Sequence, residues 1–158
     1  GERLQQAACV QHPDNPQTNS RHVVLCLPAR DQADELTATM FAQVLHMAGV
    51  TVDVGSEHTL AGEALAYVDK TAASLVCVCA LPPGAVSHAR YLCRRLHDHD
   101  ARVPVIVGLW NAQGNVGRMR ARLLEAGAGH VATTLDDGAD QIRRRLSGLT
   151  FAAADGGT

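Results

Sequence analysis

Two acidic residues, Asp31 and Asp34, follow the first long apolar run of the chain and are the first candidates for chemistry. Paired carboxylates at the end of a buried strand are suited to binding a metal ion. Such residues are also common at the start of a helix, where a carboxylate accepts hydrogen bonds from free backbone N–H groups. We favour the second interpretation and predict that Asp31 or Asp34 caps the first helix.

The residues that could act as a nucleophile or a base do not occur in a catalytic pattern. Ser87 and His88 are adjacent, but no Gly-x-Ser-x-Gly turn surrounds Ser87, and we expect this serine to cap the third helix instead. The loop after the first apolar run contains no glycine, so it lacks the cradle of nucleotide-binding loops. The sequence therefore predicts a protein that is not an enzyme.

The cysteines are interpreted as structural residues. The chain has five, and Cys26, Cys77 and Cys79 lie inside apolar runs, where a thiol behaves as a small hydrophobic side chain. The Cys-x-Cys spacing differs from that of a zinc knuckle or a redox pair. We expect no metal site, and the odd number of cysteines favours a reducing compartment.

The overall charge and composition argue against nucleic-acid binding. The 158-residue chain has a net charge of −2 and is only 3% aromatic, so it lacks both a broad basic surface and residues on which bases could stack. Arginines recur at helical spacing in two stretches, Arg90, Arg94 and Arg95, then Arg118, Arg120 and Arg122. Such rows usually form a solvated face, and contact with a partner or with anionic lipid is the alternative.

Five strand-like runs alternate with five helical patterns along the chain. The strands are predicted at Val23 to Leu27, Thr51 to Val54, Ser74 to Ala80, Val103 to Gly108 and His130 to Thr133. This alternation requires parallel strands joined by right-handed crossovers, and runs that are apolar throughout are typical of strands buried on both faces. We predict an α/β fold of the flavodoxin or Rossmann-like type, with a five-stranded parallel sheet of order 2-1-3-4-5 and helices on both faces.

Ligands of such sheets bind outside the carboxyl ends of the strands, near the switch point between the first and third strands. This edge defines the candidate site residues, which are Arg30, Asp31, Asp34, His58, Ser87, His88, Trp110 and Asn111. Trp110 is the only tryptophan, and its indole could either cover a pocket or seal the edge of the sheet. No metal ligands are predicted among these residues.

Receiver domains of response regulators also carry paired acids after their first strand. A receiver additionally needs a phosphorylatable aspartate after strand three and a lysine after strand five. The sequence has Ala80 to Pro83 and Thr133 to Thr134 at these places. A phosphorylated receiver is therefore not expected.

Three segments together form a pattern that occurs in known domains: the first helix with Met40 and Gly49, the run Val105 to Gly108, and Glu125 to Val131. They resemble the cobalamin-binding domains of mutases, methionine synthases and photoreceptor-type regulators. The resemblance extends over most of Arg21 to Leu146. It implies the same α/β fold.

The residues that hold cobalamin in that family are replaced in this chain. The family has an Asp-x-His-x-x-Gly motif, whose histidine ligates cobalt, and a Gly-Gly pair that closes strand four. Alignment on Met40 and Gly49 places Gln32, Asp34 and Thr37 at the motif positions, and Leu109 at the second glycine. We therefore expect no cofactor, with cobalamin ligated by His58 or His88 as the alternative.

A second resemblance rests on three other segments, Val24 to Arg30, Leu81 to Leu96 and Pro104 to Trp110. They are similar to the soluble carboxyl-terminal region of some proteobacterial members of the autoinducer-2 exporter (AI-2E) family of permeases. In that family the domain follows a membrane portion with several spans. The polar segment Gly1 to Ser20 would then be the tether that leaves the last span.

These observations predict a non-catalytic regulatory or interaction module. Residues 1–21 are expected to form a flexible linker or tether, 22–151 the cobalamin-binding-like domain, and 152–158 a disordered tail. The resemblance implies attachment to a membrane transporter and a location in the cytoplasm, at the inner face of the membrane. The expected partner is the membrane portion of the same polypeptide or another protein. A homodimer, a small-molecule ligand and a cobalamin sensor are the alternatives.

Overall fold

The computed structural model describes residues 22–56 and 61–156, which fold into five strands and five helices. The strands are β1 (Val23–Pro28), β2 (Thr51–Val54), β3 (Leu75–Ala80), β4 (Val105–Leu109) and β5 (His130–Ala132). The helices are α1 (Gln32–Met47), α2 (Ala61–Thr71), α3 (Val86–His99), α4 (Val116–Glu125) and α5 (Leu135–Gly156).

The five strands form one parallel sheet, and the predicted order is confirmed. The order is β2-β1-β3-β4-β5, with β2 and β5 at the two edges. β1 pairs with both β2 and β3, and Cys26 lies opposite Cys77 in the second of these pairings. The chain therefore reverses direction across the sheet after β2, which places the switch point between β1 and β3.

Helices cover both faces of the sheet, which explains why the strands are apolar throughout. On one face, Cys26 packs in a cluster with Phe41 of α1 and Ile142 of α5. On the other face, Leu25 packs in a cluster with side chains of α2, α3 and α4, including Leu92. Alternate strand residues point to opposite faces, so neither side of β1 or β3 contacts solvent.

The start of α3 and the predicted tail differ from the interpretation of the sequence. Helix α3 begins at Val86, and its N-cap residue is Ala85, which forms no side-chain cap. The prediction that Ser87 caps this helix is wrong, because Ser87 lies inside the first turn. Helix α5 extends to Gly156, so residues 152–156 of the segment predicted as a disordered tail continue this helix. None of the helices in the described ranges is long and apolar enough to cross a bilayer.

Trp110 completes the core at the carboxyl end of β4. The side chain is only 6% exposed, and the centroid of its ring lies 4.7 Å from that of Phe41. Two glycines leave room for the indole. A Cβ atom at Gly108 would overlap the Trp110 ring, and one at Gly138 would lie 3.0 Å from Trp110 Cη2. Trp110 therefore seals the sheet between α1 and α5.

The glycine at position 108 predicts a test of this packing. Gly108→Ala should lower the free energy of unfolding by about 1–3 kcal/mol, because the added methyl group must displace a buried indole. Gly117→Ala is the matched control, since nothing lies within 4 Å of a Cβ atom at this position in α4. The control should be neutral or more stable by up to about 1 kcal/mol. Urea unfolding followed by tryptophan fluorescence measures both, and equal stabilities would contradict the packing described.

Candidate functional site

The carboxyl ends of β1, β3 and β4 meet at one edge of the sheet. Pro28 lies opposite Cys79, and Ala80 lies opposite Leu109, so the loops that follow these strands are neighbours. Seven of the eight predicted site residues lie in or beside these loops. The eighth, His58, is outside the described residues.

Asp34 joins the first two of these loops. Its side chain is 1% exposed, and its two carboxylate oxygens accept hydrogen bonds from backbone N–H groups at different places in the chain. Oδ1 accepts from Leu81 N at 2.8 Å, and Oδ2 accepts from Arg30 N at 2.9 Å. Burial raises the pKa of the Asp34 carboxyl, while the hydrogen bond from Leu81 opposes this shift. The carboxylate is thus a structural connection between the β1 and β3 loops.

Asp31, one of the two residues that the sequence offered as a cap, is the N-cap of α1. Its Oδ1 accepts a hydrogen bond from Asp34 N at 3.1 Å, which satisfies a free N–H group in the first turn of α1. Its Oδ2 forms an ion pair with Arg30 Nη2 at 2.7 Å, and this hydrogen bond lowers the pKa of Asp31. Both acids are therefore engaged by the chain itself, so neither is arranged as an open metal ligand.

Arg30 extends across the loop that precedes α3. A Cβ atom at Gly84 would lie 2.6 Å from Arg30 Nη1, so the guanidinium group rests against this glycine. Together, Arg30 and the Asp34 hydrogen bonds close the middle of the edge.

Ser87 and His88 are both exposed on the first turns of α3. Neither side chain forms a hydrogen bond or an ion pair with another residue of the described ranges. The structure therefore does not bring this serine and histidine together with an acid in a catalytic arrangement.

A shallow pocket of about 310 Å³ lies at the other side of the edge, between α1 and the loops after β4 and β5. Asn111 has a left-handed backbone conformation with φ of 57°, and its N–H group donates to Thr133 O at 3.0 Å, which joins the two loops. The pocket is lined by Thr37, Met40, Trp110, Asn111, Thr133, Thr134 and Leu135. The predicted residues Trp110 and Asn111 are thus brought together here.

The lining residues from α1 were missed at the level of sequence. Thr37 and Met40 lie on a helix, and strand ends alone do not show which helix face borders the edge. The apolar pattern of α1 includes Met40 together with the buried residues Phe41 and Leu45. Met40 is nevertheless half-exposed, so it lies beside the buried face of the helix and not on it. An apolar residue off the buried face of a helix marks a surface that faces another group.

Three buried thiols form a cluster beneath this pocket. The sulfur atoms of Cys26, Cys77 and Cys79 all lie within 4.8 Å of one another, and each residue is 0% exposed. Hydrogen bonds with Cys26 and Cys79, together with burial, raise the pKa of the Cys77 thiol well above its usual value. Ligation of a soft ion would require several thiolates in an apolar core without a balancing charge, which is costly. The cluster is best described as part of the core.

Comparisons with known proteins show the fold. No family model matches the chain, and no curated protein matches its sequence. Among solved structures, a CheY-like protein from Pseudomonas aeruginosa is 18% identical with a TM-score of 0.61, over 78% of this chain and 98% of that one. A CheY-like response regulator receiver domain protein from Methanospirillum hungatei is 18% identical with a TM-score of 0.60, over 81% and 95%.

A cobalamin-binding protein from Desulfitobacterium hafniense is also similar, with 17% identity and a TM-score of 0.64 over 80% of this chain. The chain spans 60% of the length of that protein. The likeness is one of fold. The domain is flavodoxin-like and is similar to both receiver and cobalamin-binding domains, and no comparison bears on the permease family.

The residues at the cobalamin-binding positions do not fit that cofactor. At the place of the cobalt-ligating histidine stands Asp34, which is buried and already accepts hydrogen bonds from two backbone N–H groups, and Leu109 is fully buried in the sheet at the place of the second glycine. The space above Gly108 is filled by the Trp110 indole. A bulky cofactor that approached β4 closely would have to displace this side chain.

The role of Asp34 can be tested by removing its carboxylate. Asp34→Ala should lower the free energy of unfolding by about 2–4 kcal/mol, because the N–H groups of Arg30 and Leu81 both lose a charged partner. Asp98→Ala removes an exposed acid from α3 and should change stability by less than about 0.5 kcal/mol. Chemical unfolding of the two variants and the wild type gives the comparison. A loss below about 1 kcal/mol for Asp34→Ala would show that the two loops do not depend on this residue.

Proposed function

We propose that this domain is a non-catalytic regulatory or interaction module, located in the cytoplasm and joined to a membrane transporter. It contacts the membrane portion of that polypeptide through the α1 surface, which we define as Leu36, Met40 and Met47 with the adjoining pocket. The resemblance of three segments to the appended region of AI-2E permeases supports the attachment. The flavodoxin-like fold is compatible with a regulatory role, since the receiver domains it resembles have the same architecture.

The observation that carries the proposal is that the carboxyl edge is occupied by the chain itself. The Asp34 carboxylate is used by two backbone N–H groups, Arg30 is paired with Asp31, and Trp110 fills the space over Gly108. An enzyme of this architecture needs polar groups held together in a reactive arrangement at this edge. In the described part of the edge, Ser87 and His88 are exposed but not paired with an acid, and the pocket is lined mainly by apolar and hydroxyl side chains.

The α1 surface is suited to contact with another polypeptide. Leu36, Met40 and Met47 are 63%, 51% and 87% exposed and lie in one row along the helix. Large apolar side chains grouped on a surface typically mark a site of protein contact, and methionine adapts well to an irregular partner. Met40 also lines the pocket, so the helix row and the pocket form one continuous surface.

Site-specific photocrosslinking tests this proposal in cells that produce the full-length natural polypeptide. A photoreactive phenylalanine at Met40 should give an adduct with the membrane portion, because Met40 is on the contacting surface. The same group at Ala66, exposed on α2 at the opposite face of the sheet, is the matched control and should give none. Equal adducts from both positions, or none from Met40, would contradict the proposal.

A cobalamin sensor is the second candidate function, because the fold is similar to that of a cobalamin-binding protein. Absorbance and calorimetric titrations with hydroxocobalamin and adenosylcobalamin separate the two candidates. We expect neither heat nor a spectral shift, because the residues at the cobalt-ligating and tail-binding positions are unsuited to the cofactor. Tight binding with a shift that His88→Ala or His58→Ala abolishes would replace the interaction module with a sensor that uses a non-standard ligand.

A further inference from the structure

Positive charge is concentrated on two neighbouring helices. Helices α3 and α4 contain six arginines against two acids, Asp98 and Glu125, so they carry a formal charge of +4 with the histidines neutral. The whole chain has a net charge of −2, so the remainder carries −6. Both helices pack on the same face of the sheet. The protein is therefore strongly polarised although its net charge is small.

Two arginines of α3 lie on the flank that faces α4. The direction is fixed by His97, because a Cβ atom at Gly127, just after α4, would lie 2.8 Å from His97 Cβ. Arg90 and Arg94 precede His97 by seven and three residues, which places all three on one side of the helix. The opposite flank faces α2, since His99 forms an ion pair with Asp69 at 3.0 Å.

Two arginines of α4 lie on the flank that faces α3. Both helices connect parallel strands on the same face of the sheet, so they run in the same direction and corresponding residues have the same orientation. The buried residues Cys93 of α3 and Leu123 of α4 correspond. By this correspondence, Arg118 and Arg122 lie on the side of α4 that matches the α2-facing side of α3. The helix next to α4 on that side is α3, so the two arginines are directed at α3.

The groove between α3 and α4 thus brings together four arginines, Arg90, Arg94, Arg118 and Arg122. None of them forms an ion pair with a residue of the ranges that the structure describes. The Nε atom of Arg90 is buried and has no hydrogen-bond partner within those ranges. Asp98 and Glu125 are the acids of these two helices, and neither forms an ion pair with the four arginines within the described ranges, so the excess of positive charge favours the binding of an anion.

We propose that this groove, which we call the arginine groove, binds the anionic phospholipid headgroups of a membrane surface. Guanidinium groups hydrogen-bond phosphate through two parallel donors, and thirteen of the fourteen basic residues of the chain are arginines. Tyr91 lies next to Arg90 in α3 and is 57% exposed. An exposed aromatic side chain beside arginines suits the interface between headgroups and acyl chains.

The inference does not depend on attachment to a transporter. It concerns α3 and α4, whereas the α1 surface lies on the opposite face of the sheet. Loss of the α1 contact would leave lipid binding unchanged, and loss of lipid binding would leave the α1 contact unchanged. If both are correct, one face of the domain contacts the membrane portion while the other contacts lipid.

Vesicle flotation with the full 158-residue chain tests the arginine groove. Phosphatidylcholine vesicles with about one third phosphatidylglycerol should bind the protein, and binding should weaken steeply with added salt. Pure phosphatidylcholine vesicles should not bind it. The triple variant Arg94→Gln, Arg118→Gln and Arg122→Gln should bind on the order of 100-fold more weakly, since each arginine near an anionic surface contributes about fivefold. Arg118→Gln alone should lose about fivefold.

The matched control removes three positive charges elsewhere, through Arg102→Gln, Arg143→Gln and Arg144→Gln. These arginines are exposed and lie outside α3 and α4, and we expect the control to keep most of the binding. An equal loss in the control would overturn the proposal, because binding would then follow net charge alone. Absence of binding to anionic vesicles would also overturn it. Tight calorimetric binding of inorganic phosphate that displaces the vesicles would assign the groove to a free anion instead.

Discussion

The Asp34 carboxylate is the interaction on which the arrangement of the edge depends. A parallel sheet covered on both faces has few places for polar chemistry, and the loops at the carboxyl ends of β1 and β3 are the main one. Asp34 joins these loops by accepting hydrogen bonds from Arg30 N and from Leu81 N. Leu81 lies 47 residues after Asp34 in the sequence. A charge that fixes two loops in this way is not available to a substrate. The site that remains is therefore displaced toward β4, β5 and α1.

The packing of Trp110 against Phe41 likewise fills the part of the edge beside β4. Trp110 and Phe41 occupy space that two glycines leave open, so the cleft beside β4 is filled from within the chain. What remains is a shallow pocket bordered by the exposed part of α1. The same architecture can hold a ligand or present a surface, and the loop residues decide between the two.

The fold could be predicted from the sequence because its main signals are local. Apolar runs alternate with helical patterns, and this alternation predicts parallel strands joined by right-handed crossovers. The partners of Asp34 could not be predicted, since Leu81 comes from a distant loop and offers only a backbone N–H group. Cys26 joins Cys77 and Cys79 only through strand register. Ser87 has a side chain that is well suited to capping, but it lies two residues after the actual N-cap, Ala85.

The edges of the sheet have a consequence for how the protein assembles. β5 has three residues and β2 has four, and Asp53 is exposed in the middle of β2. Short edge strands and an outward charge discourage the addition of a further strand from another chain. The domain is therefore protected against growth into intermolecular sheets, even though its interior strands are among the most apolar segments of the sequence. Association through the helix surfaces avoids these edges, and side chains there can change without disturbing the sheet.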